Sequence, residues 1–295
     1  MKILVIGDIF GKTGRQVIKN YLPPLKERYQ IDLTIANVEN ATHGKGISAK
    51  HYRELKGTGV EIMTSGNHIF ACEETQKLIR EVSDLLRPLN ANPYHPGSGT
   101  ILINVKNKRV RITNLIGTAF MPTAAENPYL VLEKLLELKD SDIHLVDFHA
   151  EATAEKIALA WHYDGKISAL WGTHTHVQTA DERILPHGTA FITDLGMTGP
   201  YGGVIGAKPE VIIQRAKYGL PAKMAPYEDK GQFNGVIYEF DDITNKVNKK
   251  EKQAPLIPNP PSPEKNDACP YNESSLAIYS KSEGNMRARE EELKK

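Results

Sequence analysis

Apolar positions along this chain fall in short blocks, each closed by glycine or by polar turn residues. Residues 2–7, KILVIG, run apolar and stop at Gly7, the pattern of a buried strand. Residues 31–37, 60–64, 101–105, 110–115, 143–148, 167–171, 189–193 and 235–240 repeat it. Between these blocks lie stretches that predict helices, at 14–22, 24–29, 49–55, 73–81, 128–138, 152–163 and 209–217. The leucines at 130, 132, 135, 136 and 138 make the fifth of these the plainest. Strands alternating with helices predict an α/β fold. The polar turn around Asn107 and Lys108 joins 101–105 to 110–115, and the strands after 167 also look hairpin-linked. The expected architecture is therefore mixed β-sheets packed in a sandwich and flanked by helices.

The pattern stops near Lys249. Residues 1–248 read as one domain, and 249–295 as a Pro-rich, charged, disordered tail, with a short helix at 286–295. Lys and Arg number 37 against 36 Asp and Glu, a net charge of +1 that argues against a broad electrostatic nucleic-acid binder. RNA stays open as a partner but is not indicated. No apolar run approaches the ~18 residues of a membrane span, so the expected compartment is cytoplasmic and no membrane contact is expected. Two cysteines stand against ten histidines. That excludes a disulfide framework and a Cys-rich zinc site, and leaves His, Asp, Glu and Asn as metal donors.

Such donors follow five of the apolar blocks: Gly7-Asp8, Val38-Glu39-Asn40, Gly66-Asn67-His68, Phe148-His149-Ala150-Glu151 and Gly172-Thr173-His174-Thr175-His176. Each alone has a plain reading: Asp8 as a helix cap, Gly66-Asn67 as a turn pair, His149 as a bonded core residue. Jointly they point to one cleft, because α/β folds gather ligands outside the carboxyl ends of their strands. Asp8, Glu39, Asn40, Asn67, His149, His174 and His176 would suit two divalent transition metals. Alternate residues of an extended segment share a face, so His174 and His176 can serve neighbouring ions.

The same segments resemble the calcineurin-like metallophosphoesterases, and within them the YmdB-type phosphodiesterases. The matching text is Ile6–Arg15 (IGDIFGKTGR), Ala36–Ala41 (ANVENA), Thr64–His68 (TSGNH), Asp147–Thr153 (DFHAEAT), Gly172–Arg183 (GTHTHVQTADER) and Thr193–Pro200 (TDLGMTGP). It runs in order over roughly residues 1–245. The broad superfamily carries Asp-x-His at the first strand and a bridging Asp at the second. Here Asp8-Ile9-Phe10 lacks the His; Glu39 takes the place of the bridging Asp and Asn40 fills in for the lost His, as in the YmdB-type branch. The resemblance implies that Asp8, Glu39, Asn40 and His176 hold one metal and Glu39, Asn67, His149 and His174 the other, with Glu39 bridging. It implies iron or manganese, with zinc as an alternative. It implies attack by a metal-bridging hydroxide on 2′,3′-cyclic nucleotides, or 3′,5′-cyclic ones, with Glu39 and His68 as catalytic residues. His68 would protonate the leaving oxygen. His43 is a candidate substrate contact, Asp147 and Glu151 are candidate outer partners of His149, and the glycine-rich run 196–206 is a border of the cleft or a subunit contact. A homo-oligomer is implied as well. The alternatives are a phosphomonoesterase or nuclease at the same site, or a regulatory binding protein with a vestigial metal site.

Overall fold

The computed structural model describes residues 1–228 and 230–247, together with a strand at Leu276–Tyr279. The strands are β1 Lys2–Ile6, β2 Asp8–Ile9, β3 Leu33–Asn37, β4 Ile62–Thr64, β5 Thr100–Val105, β6 Lys108–Ile116, β7 Ile143–His149, β8 Ala169–Thr173, β9 Arg183–Ile184, β10 Ala190–Ile192, β11 Met197–Pro200, β12 Gly231–Gln232, β13 Gly235–Glu239 and β14 Leu276–Tyr279. The helices are α1 Gly11–Tyr29, α2 Ala49–Gly57, α3 Glu73–Glu81, α4 Pro128–Leu136, α5 Thr153–His162 and α6 Pro209–Tyr218.

Two large mixed sheets form, in the orders β14-β13-β1-β3-β4 and β5-β6-β7-β8-β10-β9. Strand alternation makes them a sandwich. Ile3 and Val5 face inward with Leu33, Ile35 and Ile62, and meet Val110, Ile112, Leu145 and Trp171 of the second sheet in one core. Leu4 and Ile6 point the other way, onto Val17, Ile18 and Leu22 of α1, Leu55 of α2 and Leu78 of α3. On the far side Val146, Phe148 and Leu170 pack on Leu132 of α4 and Leu159 of α5. The layers are thus helix, sheet, sheet, helix.

Several elements depart from the sequence reading. The stretches at 14–22 and 24–29 are one helix that runs through Pro23 and Pro24. Prolines inside a helix cost a hydrogen bond, but Leu22 and Leu25 keep one buried face on the sheet across them. Of the strands after 167, β8 and β10 run parallel, and the antiparallel partner of β10 is β9. The glycine-rich run contributes β11, which joins β2 and β12 in a three-stranded sheet too short to show a period. Within the stretch read as a disordered tail, β14 pairs in parallel with β13. The rest of that tail, with the helix expected at 286–295, lies outside the described residues. No described helix is long and apolar enough to cross a membrane.

Candidate metal centre

Strands β1, β3 and β4 of one sheet are mutually parallel, as are β6, β7 and β8 of the other. Their carboxyl ends open on one edge of the sandwich, and the donors gather there. Asp8, Glu39, Asn40 and His149 are buried, while Asn67, His68, His174 and His176 are half-buried toward the opening. Asp8 does not cap α1: that helix starts after Phe10 with no side-chain cap bond, and Asp8 Oδ2 accepts from the His174 backbone N at 3.2 Å.

Glu39, His149 and His174 each bring a ligand atom within 4.8 Å of the others. His149 Nε2 lies 3.2 Å from Glu39 Oε1, 3.0 Å from Asn67 Oδ1 and 3.0 Å from His174 Nδ1. Asn40 Nδ2 lies 3.2 Å from Glu39 Oε1 and 3.1 Å from His176 Nε2. The His68 backbone N donates to Glu39 Oε2 at 2.9 Å, and its ring Nδ1 sits 3.1 Å from Asn40 Oδ1. Gly66 is obligatory here, because a Cβ on it would meet the His149 ring at 2.2 Å. His43 stands apart from this group. It is exposed, on a left-handed turn with φ 51°, with its ring 6.4 Å from that of His51.

The outward nitrogens of His149, His174 and His176 are all engaged, which leaves the inward ones as the atoms that would face a metal. His149 Nδ1 donates to Thr173 Oγ1 at 2.9 Å, and Thr173 Oγ1 donates to Asp147 Oδ1 at 2.8 Å. His174 Nε2 lies 3.1 Å from Glu151 Oε2, so Glu151 serves His174 and not His149. His176 Nδ1 donates to Ile205 O at 3.0 Å, which makes the glycine-rich run a border of the cleft. Two imidazole nitrogens facing each other at 3.0 Å, and a buried Asp8 Oδ1 with no hydrogen-bond partner, mark a place that calls for a positive charge. The donors present fit divalent metal ions.

The electrostatics agree. Burial pushes the Asp8 carboxyl above its ordinary range against the pull of His176 and His149. Burial would raise Glu39 too, but His149 and His68 outweigh it and hold it well below. Burial opposes charge on His149, yet Glu39 and Asp8 raise it to about 9. In the bare protein, a proton on His149 thus supplies positive charge that the two carboxylates call for. Burial, with His149 beside it, lowers His174 to about 3.

His174 and His176 adopt φ of 101° and 65°, a region that costs a side-chain-bearing residue about 1–3 kcal/mol. A buried ion pair brackets His174. Lys156 of α5 is fully buried; its Nζ donates to Thr173 O at 2.9 Å and to Asp194 Oδ2 at 2.7 Å. Asp194 Oδ2 also accepts from Thr175 N at 3.1 Å, and its Oδ1 from Gly196 N at 2.8 Å. The backbone before and after His174 is therefore pinned by one pair. Sequence reasoning missed Lys156, Asp194 and Thr173. For Lys156 a signal existed: it occupies the buried stripe Lys156, Leu159, Ala160, Tyr163 of a helix and the segment just beyond it, where a lone cation needs a partner.

The YmdB-like protein family matches residues 4–252. A 2′,3′-cyclic-nucleotide 2′-phosphodiesterase of Bacillus subtilis is 45% identical over 254 residues, 85% of this chain and 96% of that one. Among solved structures, a phosphatase of Mycoplasma pneumoniae superposes with a TM-score of 0.82 at 45% identity, covering 84% of this chain and 91% of the other. A hypothetical protein of Thermus thermophilus does so with a TM-score of 0.80 at 38% identity, covering 84% and 96%. Likeness of this extent, with the donor cluster inside the matched span, settles kinship: the chain belongs to the YmdB-like protein family.

Proposed function

We propose that the protein is a metal-dependent phosphoric diester hydrolase that opens cyclic nucleotides, the 2′,3′-cyclic ones first. The observation that carries this is the convergence of seven oxygen and nitrogen donors from five strand ends on one edge, around a buried carboxylate oxygen with no hydrogen-bond partner and two facing imidazole nitrogens. The Bacillus subtilis relative, similar over nearly its whole length, supports the cyclic nucleotide as substrate class. Asp8, Glu39, Asn40 and His176 would hold one divalent ion and Glu39, Asn67, His149 and His174 a second, with iron or manganese favoured. Ions bound there acidify water and offset phosphoryl charge.

The chain's own residues do the rest. Glu39 Oε2 is oriented by the His68 backbone N, which fixes a carboxylate between the two donor groups. The Nδ1 side of His68 is occupied by Asn40 Oδ1, and the side chain is 34% exposed. Nε2 is thus the atom that meets substrate, placed to hand a proton to the departing ribose oxygen. A water oxygen joins phosphorus, the bond to that ribose oxygen breaks, and a nucleoside monophosphate leaves.

Metal analysis and a hydrolysis screen on one preparation test the reading. The expected result is two ions per chain and turnover of 2′,3′-cyclic nucleotides above that of nucleoside monophosphates or short RNA. A metal-free protein inert after addition of iron or manganese would overturn it, and preference for RNA would turn it into a nuclease.

A further inference from the structure

We propose that Phe120 is a stacking platform for the nucleobase of the substrate; this rests on the cyclic-nucleotide reading above. Phe120 lies in the segment after β6, the strand beside β7. The register pairs Ile116 with His149, and Gly117 N donates to His149 O at 2.9 Å. The segment therefore springs from the backbone of a metal-ligand candidate. Three residues further along, the Cα of Phe120 lies at most about 11 Å from that of Gly117, on a loop that leaves the same carboxyl edge of the sheet as the donors.

The segment is tied at both ends and just before Phe120. Asn90, buried, closes its two ends: its Oδ1 accepts from Ile116 N at 2.8 Å, and its Nδ2 donates to Ile116 O at 2.8 Å and Glu126 O at 2.9 Å. Glu155 of α5 holds the residues just before Phe120: its Oε1 accepts from Thr118 N at 2.8 Å and Thr118 Oγ1 at 2.9 Å, and its Oε2 from Ala119 N at 3.3 Å. Gly117 leaves no room for a Cβ, which would meet Glu155 Oε2 at 2.4 Å.

On this frame Phe120 is 89% exposed and has φ of 60°. A single exposed aromatic is ordinary on a protein surface. Tyr94, 94% exposed, is such a case, and its backbone is outside the left-handed region. Phe120 differs in combining a left-handed backbone, one residue beyond the Glu155 bonds, with an exposed ring. A base presents a π-face whatever its identity, and stacking on an aromatic side chain contributes about 1–3 kcal/mol.

The test compares 2′,3′-cyclic AMP with methyl ribofuranoside 2′,3′-cyclic phosphate, which has no base. The wild-type protein should show a KM at least about fivefold lower for the nucleotide. Phe120→Ala should erase that preference while leaving kcat on the baseless substrate unchanged, Phe120→Trp should keep it, and Tyr94→Ala should not affect it. Adding adenosine monophosphate should quench the extra tryptophan emission of Phe120→Trp. An unchanged preference in Phe120→Ala, or equal losses on both substrates, overturns the proposal. So does an unquenched emission in Phe120→Trp, which reads the contact even if turnover of cyclic nucleotides fails. A protein that opens only the baseless ester would instead defeat the cyclic-nucleotide reading.

Discussion

Strand β7 carries a buried histidine at each end, and the two behave oppositely. At the amino end, His144 Nε2 bonds Thr113 Oγ1 at 2.9 Å, and burial, with Arg111 nearby, lowers it to about 3. At the carboxyl end, His149 faces Glu39 and Asp8 and rises to about 9 despite deeper burial. Burial is common to both and therefore explains neither difference. What separates them is convergence: strands of both sheets deliver two buried carboxylates to one end of β7, whereas at the other the nearby Arg111 and Asp140 bond each other and the ring meets a hydroxyl. The first is a place for a cation; the second is core that contains an imidazole.

The comparison can be tested from its quiet end first. His144 binds its proton more readily in the unfolded chain, at the ordinary 6.5, than in the fold, at about 3. The stability linked to it is full above pH 6.5 and is lost as pH falls toward 3, by up to about 5 kcal/mol. Urea titrations of the metal-free protein across that window should show the decline, and His144→Gln should flatten it. A slope unchanged in that variant would assign the acid sensitivity elsewhere.

Next in size is the brace behind the histidine turn. Lys156→Met leaves Asp194 charged and buried, so unfolding free energy should drop by about 3–5 kcal/mol. Lys156→Met with Asp194→Asn removes both charges and should recover much of that loss. Equal damage from the single and double variants would show that the pair does not act as a unit.

At the loud end, Glu39→Gln should lower turnover by more than about a hundredfold, beyond the cost of losing an outer partner of a ligand. At least one ion should go with it, while circular dichroism stays native. Full metal content at the wild-type rate would remove Glu39 from the ligand set. Smallest is Thr173→Val, which cuts the link from Asp147 to His149 Nδ1. Metal affinity should weaken by about 10–100-fold, read by competition with a chelating dye; an unchanged affinity would mean that the ring is oriented by packing alone.

The strands and the donors were legible in the sequence for the same reason. A buried parallel strand is a short apolar block, and chemistry at its carboxyl end is the polar text that follows it, as in Gly66-Asn67-His68. The grouping of those donors was not legible from any one segment, since Glu39 and His149 meet only through the packing of two sheets. Other features hid because a local rule gave way to a tertiary one. Pro23 and Pro24 marked a helix end that the buried face of α1 overrode. Lys156 lay in a helix where a charge reads as solvent-facing, although its spacing from Leu159 and Tyr163 put it inside. The sheet of β2, β11 and β12 rests on strands of two to four residues, too short for periodicity to register.

The donor set straddles the sandwich, with Asp8, Glu39 and Asn67 just beyond the ends of β1, β3 and β4 of one sheet, and His149 and His174 at the ends of β7 and β8 of the other. A cation shared by Glu39 and His149 would join points about 110 residues apart along the chain. By the chain-entropy reckoning used for disulfides, a loop near that length withholds about 5 kcal/mol of freedom from the unfolded state. In a protein with two cysteines, the site would then double as a removable rivet: chelation or acid would release the mouth of the sandwich before its base.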